Sequence, residues 1–130
     1  MMDNKMICTE LFENVVENNE TIGFAFLGRL PYYRGLGLSM IEDIKVEVDG
    51  EAIAREDIRF SVRGKAYTLD QMETVYDDRW NFGEKARIVA LKPGGLAPGK
   101  HRIGFAVRMR VSYLPFVPTT KDSKELLLAA

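Results

Sequence analysis

Residues 102–114 of the chain read Arg-Ile-Gly-Phe-Ala-Val-Arg-Met-Arg-Val-Ser-Tyr-Leu. Large apolar side chains alternate with small or charged ones along this stretch. Because successive side chains of a β-strand point to opposite faces, this alternation is typical of a long strand with one face in the core. The stretch therefore predicts a sheet whose buried face carries Ile103, Phe105, Val107, Met109, Val111 and Tyr113.

Shorter runs with the same period lie along the rest of the chain. They predict strands over 44–48, 58–62 and 21–30, with weaker candidates at 11–16 and 86–91. The pairs Asp49-Gly50 and Arg63-Gly64 are suited to tight hairpin turns with positive φ. The neighbouring strands are therefore expected to be antiparallel.

Two further segments are expected to interrupt the strands. Residues 93–99 contain two prolines and three glycines and predict a long loop that leads into the last strand. Thr68 and Gln71 have the spacing of a capping box, and the apolar residues that follow Thr68 predict a short helix with Leu69, Met72 and Val75 on one face.

These features together predict an all-β fold. It is an antiparallel two-sheet sandwich of Greek-key or jelly-roll type, with seven or eight strands and one short helix. The 130 residues suit a single domain over 1–130, with 1–10 and 119–130 as terminal arms. The arm at 119–130 is expected to reach for another subunit.

Charge and cysteine content argue against several classes of protein. Eighteen basic and nineteen acidic side chains leave a net charge of −1, which favours neither nucleic acid nor anionic lipid as a partner. The single cysteine, Cys8, excludes an internal disulfide. The first residues lack a secretory signal, and no apolar run approaches the ~20 residues that span a bilayer. A cytoplasmic protein without a membrane segment is expected.

Residues for catalysis are scarce. His101 is the only histidine, and none of the serines lies in a glycine-flanked nucleophile elbow. An exposed or partly packed imidazole is the interpretation we favour for His101. The acidic residues Asp70, Glu73, Asp77 and Asp78 lack the spacing of a calcium loop and predict a solvated helix face. We assign no catalytic residue, no cofactor-binding residue and no metal ligand.

Two stretches have the composition of a binding surface. Tyr32, Tyr33 and Arg34 lie on a connection framed by proline and glycine, and Arg79-Trp80 forms a second patch. Aromatic residues and arginine are enriched at binding hot spots, so these five residues are the predicted partner interface. The alternatives are that Tyr32 and Tyr33 close one end of the sandwich and that Trp80 packs at the edge of the core.

Several stretches are informative as a set: 29–35 with 38–39, 48–51, 79–84, 92–101 and 111–115. Their sequences, order and spacing resemble those of the small beta subunit of bacterial C-glycoside deglycosidases. The resemblance implies a heteromeric enzyme that cleaves the carbon–carbon bond between a 3-oxo sugar and an aromatic aglycone such as a flavonoid. It also implies an alpha subunit that is a TIM barrel holding a divalent metal, usually taken as manganese, while the beta subunit is a companion without catalytic groups.

A different class of function is also compatible with the sequence. A free-standing carbohydrate-binding module would use loop aromatics to stack on sugar rings. Such a module would elute alone during purification, whereas a beta subunit would bring its barrel partner with it.

Overall fold

The computed structural model describes residues 6–29, 36–72, 74–75, 78–80, 84–109 and 119–128. In these residues the chain forms eleven strands and one short helix. The strands are β1 (Ile7–Glu17), β2 (Glu20–Arg29), β3 (Leu36–Gly37), β4 (Ile41–Val48), β5 (Glu51–Ala52), β6 (Ile58–Val62), β7 (Lys65–Thr68), β8 (Arg79–Trp80), β9 (Lys85–Leu91), β10 (Gly99–Met109) and β11 (Thr119–Leu128), and the helix is α1 (Leu69–Met72).

The strands form two main sheets and a small ribbon. The larger sheet has the order β1-β2-β9-β6-β7, the second sheet has the order β11-β10-β4-β5, and β3 pairs with β8. Every pairing is antiparallel. The predicted all-β sandwich is confirmed. The strand number exceeds the prediction because β3, β5 and β8 are only two residues long.

Strand β10 is central to the second sheet. It pairs with β4 on one side and with β11 on the other. Ile103, Phe105, Val107 and Met109 are buried, as the alternation predicts. The strand begins at Gly99, which shortens the predicted loop by one residue, and residues 110–114 of the predicted strand lie outside the described residues.

The core lies between the two main sheets. Phe24 and Phe26 of β2 are fully buried, and the Phe26 ring meets Phe105 of the facing sheet edge-on at 5.4 Å between centroids. Alternate residues of β4 and β6 complete the same layer: Ile44, Val46, Val48, Ile58, Phe60 and Val62. Each fully buried side chain of this size contributes about 1.5–3 kcal/mol by leaving water.

Three hairpin turns have left-handed backbone. Asp49 and Gly50 have φ of 51° and 85°, and Arg63 and Gly64 have 50° and 81°, so both predicted turns are confirmed. Asn18 and Asn19 form a third turn of the same kind, with φ of 51° and 66°. Asparagine tolerates this conformation better than most side-chain-bearing residues, which is why no glycine is needed there.

The predicted capping box is also present. The Thr68 N–H donates to Gln71 Oε1 at 2.8 Å, and the Gln71 N–H donates to Thr68 Oγ1 at 3.1 Å. Leu69 and Met72 are buried and Val75 packs against the core. The helix is a single turn, and no helix of the described residues has the length and apolar character to cross a membrane.

The expected terminal arm at 119–130 is instead a strand. Residues 119–128 pair with β10 in continuous register, from Gly99 opposite Leu128 to Arg108 opposite Thr119. Leu126 and Leu128 are buried while Leu127 between them is exposed, so the run of three leucines alternates between the two faces. At the other terminus Met6 and Ile7 are buried, which places the described part of 1–10 within the fold as well.

Side chains join the two sheets along both sides of the sandwich. On one side Asp122 accepts a hydrogen bond from the Ile7 N–H at 3.1 Å, and Lys124 Nζ donates to the Ile7 carbonyl at 2.7 Å. On the other side Arg55 donates to Asp43 at 2.6 Å and to Asp70 at 3.2 Å. The contacts of Ile7 connect β1 to β11, which share no ladder, and Arg55 connects the turn before β6 to β4 and to α1.

Candidate functional site

The sandwich has two ends with different composition. The turn end carries the 18–19 and 49–50 turns and the loop at 92–98, which is held there by a hydrogen bond from the Gly94 N–H to the Thr21 carbonyl at 3.0 Å. At the opposite end, here named the loop end, Arg29 at the end of β2 pairs with Lys85 at the start of β9. The strands that lead into 30–35, 81–83 and 110–118 finish at the loop end.

The ribbon of β3 and β8 joins the residues that follow the first predicted interface patch to the second patch, Arg79-Trp80. Leu36 pairs with Trp80 and Gly37 pairs with Arg79. Beyond the ribbon, the Leu38 N–H donates to the Asp78 carbonyl at 3.1 Å. The segment after 30–35 is therefore fixed directly beside the segment before 81–83. Tyr32, Tyr33 and Arg34 lie outside the described residues, so their interface role stays a prediction.

Trp80 occupies a position different from the predicted surface one. It is 0% exposed, and its ring lies edge-on to Phe60 at 4.9 Å between centroids. Its indole N–H donates to the Glu84 carbonyl at 2.8 Å, so the polar atom is satisfied inside the chain. The ring is therefore part of the core edge, as the alternative interpretation had it, and only Arg79 of this pair is exposed.

Arg63 organises the described part of the loop end. Its guanidinium donates to both carboxylate oxygens of Glu84, at 2.5 and 2.6 Å, and to Asp78 Oδ1. It also donates to the Arg79 carbonyl at 2.8 Å. Nη1 binds Glu84 while Nη2 binds Asp78 and the Arg79 carbonyl, and the single ammonium of a lysine could not reach both groups of partners in this way. One side chain in the β6–β7 turn thus holds both sides of the 79–84 segment.

Asp78 is the most enclosed member of this network, with its side chain 11% exposed. Burial disfavours the charged carboxylate, but hydrogen bonds from Tyr67 Oη, the Arg79 N–H and Arg63 outweigh that effect and lower the pKa of Asp78. The bond to Glu84 is the main cause of the raised pKa of Arg63. Asp78 and Arg63 are therefore both charged at neutral pH.

The sequence interpretation of the acidic cluster is correct for one member and wrong for another. The Asp70 side chain is 85% exposed, as on a solvated face. Asp78 instead binds Tyr67 and Arg63, which lie 11 and 15 residues away in the chain. The spacing of residues within a short stretch of sequence cannot predict contacts with residues this far away in the chain. In the sequence, the Arg63-Gly64 pair predicts a turn, but it does not predict which side chains Arg63 binds.

A second cluster joins two motifs at the turn end. His101 Nδ1 lies 2.6 Å from Asp49 Oδ2, and Nε2 lies 2.6 Å from the Ala97 carbonyl oxygen. The Asp49 carboxylate also accepts the Arg102 N–H at 2.9 Å. Asp49 and then the Ala97 carbonyl raise the pKa of His101, and His101 lowers the pKa of Asp49. The imidazole is 14% exposed, in keeping with a partly packed side chain.

Neither the Arg63 network nor the Asp49–His101 cluster has the set of ligands that a metal centre needs. Across the described part of the chain, no group of three or more histidine, cysteine, aspartate or glutamate side chains is arranged to hold a metal ion. His101 already faces two oxygen acceptors, and Cys8 is buried. The two clusters are hydrogen-bonded anchors that fix loops to strands.

Comparisons with a protein-family model and with individual known proteins point to the same family. The family model of the C-glycoside deglycosidase beta subunit matches residues 2–113. A C-glycoside deglycosidase beta subunit of Eubacterium cellulosolvens is 34% identical over 88% of this chain and 78% of its own length. The 3'-dehydrocarminate deglycosidase beta subunit of a Microbacterium species is 38% identical over 72% of this chain and 70% of its own. The chain therefore belongs to the C-glycoside deglycosidase beta subunit family.

Proposed function

We propose that the chain is the non-catalytic beta subunit of a heteromeric C-glycoside deglycosidase. The observation that carries this proposal is the family match, because the matched relatives are beta subunits and that name implies another subunit. The partner would be a TIM-barrel alpha subunit that holds a divalent metal, manganese in the form we expect. The chemistry would be carried out on that partner.

The reaction we propose is cleavage of the carbon–carbon bond between a 3-oxo sugar and an aromatic aglycone. One relative is named a 3'-dehydrocarminate deglycosidase beta subunit, and the 3'-dehydro group in that name supports an oxidised sugar as the substrate class. This chain would act by docking to the alpha subunit and supporting its active-site mouth.

The loop end is the docking surface that the geometry supports. The β3–β8 ribbon and the Arg63 network fix the segments on either side of 30–35 and 81–83 before any partner arrives. A pre-organised surface loses less conformational entropy on binding than a flexible one. Tyr32, Tyr33, Arg34 and Arg79 are the side chains we propose to contact the partner.

Co-expression with the alpha subunit tests the assembly. The two chains are expected to elute together from a size-exclusion column, and the complex is expected to release aglycone from a 3-oxo C-glucoside. A beta chain that elutes alone in the presence of folded alpha subunit, while it retains a sugar ligand, would support a free-standing carbohydrate-binding module instead.

Replacing Tyr33 and Arg34 together by alanine tests the placement of the interface. Assembly should weaken by about 2–4 kcal/mol, as hot-spot truncations do, while the melting temperature of the free chain changes little. A matched control replaces the exposed residues Val16 and Lys100, which lie at the turn end, by alanine. Unchanged assembly in the Tyr33/Arg34 variant, or a sharply lower melting temperature with assembly intact, would contradict the placement.

A further inference from the structure

We propose that the loop at 92–98 carries a pH-dependent latch, in which protonated His101 holds the Ala97 carbonyl and neutral His101 releases it. The latch lies at the turn end and is independent of the docking function proposed above. It has three parts: one side chain that titrates, one fixed carboxylate in the β4–β5 turn, and one backbone carbonyl that is free to turn away.

The imidazole ring lies between two oxygen acceptors. Nδ1 is 2.6 Å from Asp49 Oδ2, and Nε2 is 2.6 Å from the Ala97 carbonyl oxygen. A carboxylate and a carbonyl can only accept a hydrogen bond, so each ring nitrogen has to carry a proton. Only the imidazolium has two N–H groups. The observed geometry is therefore that of protonated His101.

Asp49 is held in place independently of His101. Its Oδ1 accepts the Arg102 N–H at 2.9 Å, and its own N–H donates to the Arg102 carbonyl at 2.9 Å. The bonds from His101 and from the Arg102 N–H lower the pKa of Asp49, so the carboxylate is ionised at neutral pH. Asp49 thus remains a fixed, charged acceptor when His101 loses a proton.

This difference between the two acceptors decides which contact breaks. An unprotonated ring nitrogen is repelled more strongly by a charged carboxylate than by a neutral carbonyl, so neutral His101 keeps its one proton on Nδ1, facing Asp49. Nε2 then presents a lone pair to the Ala97 oxygen. Two acceptors do not remain at 2.6 Å from one another, and the Ala97 carbonyl has to turn away.

The movement is confined to a short segment between two fixed points. Asn14 holds both the N–H and the carbonyl of Leu96 at 2.9 Å, and Gly99 begins β10 opposite Leu128. Ala97 and Pro98 lie between these points. Gly99 has a φ of 130°, and within the part of the chain that the structure describes no atom beyond its chain neighbours lies within 4 Å of where a Cβ would be. A glycine with open space beside it therefore adjoins the segment that has to move.

The other charged groups near the ring are paired among themselves. Lys100 lies 3.9 Å from Glu125 of β11, and Lys92 of the loop binds Glu51 of β5 at 2.8 Å. Strand β1 faces the ring with Phe12, which does not titrate. Of the charged groups on these elements, Asp49 is the one that acts on the imidazole: Lys92, Lys100, Arg102, Glu51, Glu125 and Asp49.

The direction of the pKa shift gives the pH range. The hydrogen bond to Asp49 and then the one to Ala97 raise the pKa of His101 above 6.5, against the opposing effect of burial. The latch is therefore closed below pH 6.5 and opens as the pH rises through the folded-state pKa of His101.

Nuclear magnetic resonance can follow both sides of the contact in the unaltered chain. Ala97-Pro98 is the only Ala-Pro pair in the sequence, so a sample with carbonyl-labelled alanine and nitrogen-labelled proline gives a single carbonyl–nitrogen correlation. The Ala97 carbonyl carbon should move upfield between pH 6 and pH 9, with the same midpoint as the His101 ring protons. The Leu96 N–H resonance should move little, because Asn14 holds it at both pH values.

Two results in the unaltered chain would overturn the proposal. One is an Ala97 carbonyl resonance that stays constant while the imidazole titrates. The other is a large movement of the Arg102 N–H resonance with Ala97 unchanged, which would show that the Asp49 contact breaks instead. These measurements need no substitution, so they decide the matter even where a variant fails to fold.

Three variants identify the groups responsible. In His101→Gln the Ala97 resonance should be independent of pH in this range. Asp49→Asn should lower the midpoints of Ala97 and His101 by the same amount, because it removes the charge while asparagine tolerates the left-handed φ of 51°. The control Glu51→Gln removes a charge two residues away, which is bound to Lys92, and should leave both midpoints unchanged. Midpoints that shift separately in Asp49→Asn, or an equal shift in Glu51→Gln, would contradict the latch.

Discussion

At the residue scale, Arg63 combines an unfavourable backbone with an extensive side-chain network. Its φ of 50° lies in the left-handed region, which costs a side-chain-bearing residue roughly 1–2 kcal/mol. Its guanidinium holds Glu84, Asp78 and the Arg79 carbonyl at the same time. Glycine removes both the backbone cost and the network, whereas lysine keeps the backbone cost and loses the network, so a comparison of the two variants separates the effects.

Replacing Arg63 by glycine is therefore expected to change local order more than global stability. The glycine relieves the turn, so the melting temperature should change little, while the Leu38 and Ser39 amides, which donate to the 75–78 segment, should exchange faster with solvent. Hydrogen exchange followed by mass spectrometry measures this. Arg63→Lys, which keeps the charge but loses the fork, should give an intermediate exchange rate. Unchanged protection in Arg63→Gly would contradict the anchoring role.

His101 makes stability depend on pH. Both ring nitrogens face oxygen acceptors, so both hydrogen bonds exist only when the imidazole is protonated. Its pKa in the folded chain is raised above 6.5, so its stabilising contribution is complete below pH 6.5 and is lost as the pH rises through the folded-state value. The lowered pKa of Asp49 keeps its carboxylate charged down to below pH 3.8.

We accordingly expect the free energy of unfolding to decrease between pH 6 and pH 9 more in the native chain than in His101→Gln. Urea unfolding at the two pH values measures this. Because His101 is the only histidine, its imidazole proton resonances also give its pKa without assignment. An identical pH dependence in both proteins, or a measured pKa at or below 6.5, would show that the two contacts do not stabilise the imidazolium.

At the element scale, β11 shows how an apolar run can be misread. Leu126, Leu127 and Leu128 follow a polar segment, and the change of composition suggested a separate arm. In the structure the strand closes one edge of the β10 sheet, and Asp122 and Lys124 connect it to the Ile7 backbone of the other sheet. Alternate leucines consequently face the core and the solvent.

This arrangement predicts unequal effects of neighbouring substitutions. Leu126→Ala should destabilise the free chain by about 2 kcal/mol or more, because it removes a buried side chain and leaves a cavity. Leu127→Ala should change stability by less than about 0.5 kcal/mol, because that side chain is 69% exposed. Chemical denaturation of the two variants provides the comparison. Equal, small effects at both positions would favour a free arm over a strand.

At the scale of the whole molecule, separate clusters of hydrogen bonds hold the two ends of the sandwich. The turn end is held by the Asp49–His101 pair and by Asn14, whose amide bonds to both the N–H and the carbonyl of Leu96 at 2.9 Å. The loop end holds the β3–β8 ribbon and the Arg63 network. We expect docking at the loop end, as proposed above, to leave the clusters of the turn end undisturbed.

The whole-molecule prediction concerns the isolated chain. It should be folded, should release no aglycone from a 3-oxo C-glucoside, and should hold no stoichiometric transition metal, because its only histidine and only cysteine are far apart in the sequence and already engaged or buried. Activity assays and elemental analysis of the alpha-free chain measure both properties. Turnover, or one tightly held metal per chain, would contradict the non-catalytic assignment.

What the sequence by itself determined is the local architecture. Period-two alternation identified the buried faces of β4, β6 and β10, residue pairs identified two hairpin turns, and Thr68 with Gln71 identified the helix start. Each of these features depends on residues within a few positions of one another. A short segment specifies its own backbone conformation and the face to which each of its side chains points, whatever other segments pack against it.

Only the tertiary structure decided which segments meet. The pairing of β3 with β8, the burial of Trp80, the partners of Arg63 and the contact of His101 with Asp49 all join residues distant in the chain. Alternation states which way a side chain points but not which strand lies beside it. The physical reason is that strand order results from packing two apolar faces around one core, which depends on every strand together.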